Sequence, residues 1–169
     1  MAVIIRHNDL EYVTKESAPS AFALLTGKKP LLDTGAKQMK YDFRILEPGK
    51  FSFPYHFHRN SEELFVILTG SAMLRTPKDF LELCSGDTVF FEMGPEGAHQ
   101  LYNHTDEPCR YLDLRTVSGL DVCEYPDSGK INIIPHQEVY QKADRVDYYQ
   151  GEEQVCEKWP RSIAGILQP

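Results

Sequence analysis

The chain has 169 residues, a length that fits one compact domain. Lys plus Arg total 18 against 25 Asp plus Glu, a formal charge of −7, which disfavours the many phosphate contacts of a nucleic-acid binder and docking on an anionic membrane face. With 41% hydrophobic and 25% charged residues the composition is globular rather than disordered.

In chain order, residues 1–37 read as an irregular N-terminal arm, with an added strand at 3–5 and a short helix at 21–25 as its expected elements. The apolar run at the N-terminus is too short for a signal peptide, and no stretch approaches the ~18 apolar residues of a membrane span. A cytoplasmic location is therefore expected. Cys84, Cys109, Cys123 and Cys156 form no close pair, so free thiols are expected rather than a disulfide framework.

From 38 to 120 short strands alternate with turn clusters, and these residues are expected to form the domain core. The strands are expected at 39–46, 51–58, 64–68, 72–75, 80–83, 88–92, 99–103 and 111–116. Gly, Pro, Asn, Asp and Ser between them break the pairing in distinct ways: positive φ, a fixed φ without a donor, or side chains folding back on the backbone. Regular short strands without helical periods between them predict an all-β sandwich or barrel. Residues 121–169 read as a C-terminal extension packed on the barrel, with a turn at 125–129 and a short strand at 131–134.

Chemistry concentrates in two segments, GKFSFPYHFHRNSEELFVILTG at 49–70 and GDTVFFEMGPEGAHQLYN at 86–103. In a strand, residues two apart face one way, so His56 and His58 project together about 7 Å apart at the backbone. A carboxylate entering after the turn at 59–61 and His99 behind a Gly/Pro turn complete a set of three imidazoles and one acid, which suits a divalent first-row metal. Glu62 and Glu63 face opposite sides of their strand, and the apolar residues that follow occupy both faces, so alternation leaves the acid open.

These segments resemble the two motifs of the cupin superfamily, small jelly-roll barrels also described as double-stranded β-helices. The first gives Gly49, six residues, His56, His58, four residues, Glu63, six residues and Gly70; the second has Gly86, Gly97, His99 and Asn103 in place. One extra residue precedes His56, and the turn before His99 is longer and differently spaced. The resemblance implies a cupin barrel with arm and tail, and metal ligands His56, His58, Glu63 and His99, its spacing to Gly70 favouring Glu63. The cofactor implied is one divalent transition metal (iron, manganese, nickel, zinc or copper), with a small-molecule ligand and a homodimer as partners.

The function expected from these residues is the binding or conversion of a small polar oxygen-containing molecule, as in a metal-dependent oxygenase or decarboxylase. A non-catalytic binding or sensor module and a sugar isomerase or epimerase are the alternatives. An isomerase of phosphosugars needs cavity cations, for which Arg44, Arg110, Arg115 and Lys40 are available. Asn103 is expected to fix a turn, and His7, His104 and His136 to lie at the surface. Because neutral imidazoles bind metal, occupancy is expected to fall below about pH 6.

Overall fold

The computed structural model describes residues 2–14, 17–27, 35–117 and 119–160. The parts of the arm at 28–34 and of the extension at 161–169 lie outside the described residues.

The strands are, in order, β1 (Tyr12–Val13), β2 (Leu24–Gly27), β3 (Met39–Leu46), β4 (Phe57–His58), β5 (Glu63–Thr69), β6 (Ser71–Arg75), β7 (Phe80–Cys84), β8 (Thr88–Phe91), β9 (Gln100–Tyr102), β10 (Cys109–Thr116), β11 (Asp121–Tyr125), β12 (Lys130–Ile134) and β13 (Glu138–Gln141). They pair antiparallel throughout. One sheet runs β1-β2-β3-β10-β5-β8; the others run β13-β12-β11-β4 and β7-β6-β9. Backbone bonds between the segment before β4 and β9 join the two smaller sheets: Ser52 N–H donates to Leu101 O (2.9 Å), and His56 and His99 exchange bonds of 3.2 and 2.8 Å. The result is an all-β jelly roll, two sheets face to face.

Alternation along the strands separates inside from outside. In β5, buried Glu63, Phe65 and Ile67 alternate with half-buried Leu64, Val66 and Leu68. In β10, Cys109, Tyr111 and Asp113 point inward. The inner rows have a chemical gradient. At one end Leu46, Ile67, Ala72, Leu74, Leu83, Leu101 and Cys109 form the apolar core. At the other end the register sets Lys40, Arg115, Glu63 and Phe91 side by side across four strands.

The N-terminal arm departs from expectation. Residues 3–5 form no strand, and the run at 21–25 is no helix: Phe22 makes a β-bridge to Phe51, and Leu24–Gly27 forms β2, with Leu24 opposite Leu46 and Leu25 opposite Ile45. An apolar run this short has no helical or strand signature of its own; pairing with the edge of β3 decides it. At the other end, β11 and β12 are part of the second sheet, so the barrel reaches past residue 120. Residues 135–160 are exposed throughout. Among the described residues no helix is long and apolar enough to cross a membrane.

Candidate metal centre

Three histidines reach the inside of the barrel from different directions. His56 and His58 come from the strand running into β4, and His99 follows the 3-10 turn Pro95–Gly97. All three are buried, as is Glu63 at the start of β5. Glu63 faces the histidines, with Oε2 3.1 Å from His99 Nε2 and 3.6 Å from His58 Nε2. Glu62 is only half-buried, on the opposite face. The register explains this: Glu63 lies opposite Arg115 and Phe91, in line with inward Phe65 and Ile67.

Each imidazole is oriented by an oxygen behind it. The Nδ1–H of His56 donates to Pro54 O (2.9 Å), that of His99 to Gly97 O (2.9 Å), and that of His58 to Asp121 Oδ2 (2.5 Å). With Nδ1 carrying the proton in each ring, every Nε2 offers a lone pair inward, the tautomer a metal needs. Asp121 is itself anchored by the Asn60 backbone N–H (2.9 Å). Burial alone would raise its carboxyl, but these bonds hold it below the usual range.

Electrostatics favour a neutral His56 and an ionised Glu63. Burial, followed by the neighbouring His99, pushes His56 down to about 3. Burial alone would raise Glu63, yet interactions with His99, then His56 and His58, bring it well below the usual carboxylate range. Asp113, in contact with Glu63, shows the opposite behaviour: burial, then the Glu63 charge, raise it to about 7. Arg44 pairs with Asp113 (2.9 Å) and Asp42 (2.9 Å) and also donates to Thr26 Oγ1.

The donor set fits a cation. His56, Glu63 and His99 offer ligand atoms within 4.8 Å of one another. Glu63 Oε2 and His99 Nε2 approach to 3.1 Å and are both buried without a hydrogen-bond partner. Two lone pairs held that close in a dry interior require positive charge between them, which a metal ion supplies. Aromatic rings wall the site: Phe91 stacks on His99 at 3.8 Å between centroids, and Phe65 meets the same ring edge-on at 5.3 Å.

Other residues divide clearly. Asn103 fixes a turn, its amide donating to Leu46 O and Glu107 O while Thr105 donates to its oxygen. Tyr55 and Phe57 point away from the histidines into a small cluster with Ala98. His136 and His104 are exposed, the latter 3.1 Å from Glu82, while His7 is half-buried against Phe43. Arg44 faces inward but is already ion-paired, and Arg110 lies on the outer face near Tyr12. Half-buried Arg115 and exposed Lys40 line a shallow cavity with Ser61, Thr116, Asp121 and Ile134.

Sequence reasoning missed Asp121, Asp113 and Cys123. Asp113 follows from the alternation of β10, but nothing in the local pattern announces its contact with Glu63. Asp121 and Cys123 reach the site because β11 pairs with β4, with Cys123 opposite His58. Cys123 is buried, and burial pushes its thiol up to about 12.

Two antiparallel sheets closing over a pocket of imidazoles and one carboxylate define a double-stranded β-helix protein. Residues 43–115 match the cupin domain family, and the chain contains a cupin domain. No curated protein sequence matches the chain. Among solved structures, a protein from Acidithiobacillus ferrooxidans, provisionally named a sugar phosphate isomerase, is similar at 26% identity with TM-score 0.70, over 85% of this chain and 95% of that one. A cupin-superfamily sugar phosphate isomerase from Silicibacter pomeroyi aligns at 18% identity and TM-score 0.73, covering 88% and 98%. A polyketide cyclase from Streptomyces resistomycificus aligns at 18% identity and TM-score 0.61, over 97% and 98%. The last two likenesses concern the fold.

Proposed function

We propose that the chain is a metal-dependent cupin acting on a small anionic, oxygen-rich molecule, with His56, His58, Glu63 and His99 as ligands and Arg115 and Lys40 as partners of the anionic group. The observation that supports this reading is the group of His56, Glu63 and His99, whose ligand atoms lie within 4.8 Å of one another, with His58 Nε2 3.6 Å from the same Glu63 oxygen and each ring backed by an oxygen acceptor. Three nitrogens and one oxygen suit iron, manganese, nickel, zinc or copper. When bound, such an ion polarises an oxygen-bearing group that ligates it.

The chain's own groups supply the rest. Asp121, Pro54 and Gly97 hold the rings in one tautomer. Phe65 and Phe91 keep water from the apolar side. Arg115 is the register partner of both Glu63 and Lys40, so a molecule ligating beside Glu63 meets two cations within its own length. Neither cation has an ion pair or hydrogen bond among the described residues.

A sugar phosphate has the matching chemistry: adjacent oxygens for the ion and a phosphate dianion for the cations. The likeness to the Acidithiobacillus protein, 26% identical over most of both chains, supports isomerisation of such a compound over oxygen chemistry. The test is a thermal-shift panel of sugar phosphates and their unphosphorylated counterparts on metal-loaded protein, followed by turnover assays. Stabilisation by the phosphates alone, lost in Arg115→Ala, supports the reading. Oxygen consumption with a non-phosphorylated ligand, or indifference to the phosphate, contradicts it.

A further inference from the structure

We propose that Cys123 is a conditional fifth donor to the same centre, so that the barrel offers two overlapping ligand sets, one for harder ions through Glu63 and one for thiophilic ions through sulfur. The inference rests on the metal reading above and concerns a residue which that reading does not use.

The geometry is specific. Cys123 and His58 are direct partners in the β11–β4 ladder, so their side chains leave the sheet on the same side. The Cys123 sulfur and ring nitrogens of His56 and His58 lie within 4.8 Å of one another, while His56 also belongs to the group formed with Glu63 and His99. His56 is thus the hinge between the two sets. The unpartnered, buried Glu63 Oε2 and His99 Nε2 mark independently that this space is built for a cation.

The surroundings separate this thiol from the chain's other buried one. Cys109 sits within the apolar core cluster, where a cysteine acts as a small hydrophobe. Cys123 belongs to neither apolar cluster. It lies on the inward row of β11 between Asp121 and Tyr125, and the Tyr125 hydroxyl sits beside both the thiol and Asn132. A thiol in a polar row facing two imidazoles is placed as a ligand.

The chemistry decides when it acts. As the sulfur lone pair bonds to the ion, the S–H bond breaks and its proton passes to water, with no change of oxidation state. Sulfur is a soft donor that gives up its proton to the ion it binds, so only an ion with strong affinity for sulfur drives the exchange. Zinc, cobalt and cadmium meet that condition; manganese and magnesium remain with oxygen and nitrogen donors.

The test uses the full chain carrying Cys84→Ser and Cys156→Ser, because both of those thiols are exposed and would bind thiophilic ions by themselves. Titration of the metal-free protein with cobalt(II) is expected to give a near-ultraviolet sulfur-to-cobalt charge-transfer band saturating at one equivalent. Adding Cys123→Ser removes the band, leaves the visible ligand-field spectrum of a bound ion, and weakens cobalt affinity by about tenfold, with manganese affinity unchanged. X-ray absorption on the zinc-loaded protein with Cys123 intact needs no change at that position and is expected to show one sulfur at about 2.3 Å. A bound ion with only nitrogen and oxygen neighbours overturns the proposal and leaves the metal centre standing. Failure of any ion to bind stoichiometrically overturns both.

Discussion

At the residue scale, the site depends on which acid faces inward and on what stands behind each ring. Glu63→Gln removes the anionic ligand and is expected to abolish stoichiometric metal in protein purified without a histidine tag. Glu62→Gln, on the other side of the strand, is expected to leave it intact; equal metal content in the two variants would refute the assignment. Asp121 tests the support behind the ligands. It accepts from His58 Nδ1–H and fixes the ring, so Asp121→Asn is expected to weaken metal affinity by about 10–100-fold in chelator competition, with the far-ultraviolet circular dichroism unchanged.

At the scale of elements, the turn before His99 shows how backbone geometry sets chemistry. The Gly94 N–H donates to His58 O (2.8 Å), and Gly97 O accepts from His99 Nδ1–H, so one turn positions two of the three imidazoles. A Cβ on Gly97 would lie 1.9 Å from Glu92 O, and the other near atoms are also Glu92 backbone, which leaves nothing flexible to yield. Gly97→Ala is therefore expected to cost at least about 2 kcal/mol of stability by urea denaturation and to weaken metal binding with it. The same scale shows what the sequence revealed. That His56 and His58 share a face was legible because strand alternation specifies it locally, and the Asn103 turn was legible for a similarly local reason, whereas alternation left the acid open. The choice of Glu63 came from spacing to Gly70, which the register of β5 supports. The arm misled, since Leu24 and Leu25 pair with β3 through contacts some twenty residues away. Asp121 and Cys123 were invisible as site residues because only the β11–β4 ladder, more than sixty residues apart in sequence, brings them to His58.

For the molecule as a whole, the barrel divides its labour along the strand axis: an apolar end stabilises it, and a polar end concentrates ionisable groups in a dry interior. That division has a cost at low pH. His56 is depressed to about 3 when folded, against about 6.5 in the unfolded chain. Its neutral form therefore favours the fold above pH 6.5, and this contribution is lost as the pH falls from there towards 3, at up to about 1.4 kcal/mol per pH unit. Melting temperatures of metal-free protein are expected to drop across that window, and His56→Gln to flatten the profile; an unchanged slope would show that His56 is not held neutral by the fold. The central claim is that three imidazoles and Glu63 share one ion. The most direct measurement is anomalous X-ray scattering from crystals of the protein grown with a transition metal. One strong peak at bonding distance from Nε2 of His56, His58 and His99 and from a Glu63 oxygen is the predicted result. A barrel with no such peak, or an ion held elsewhere on the surface, would contradict the account.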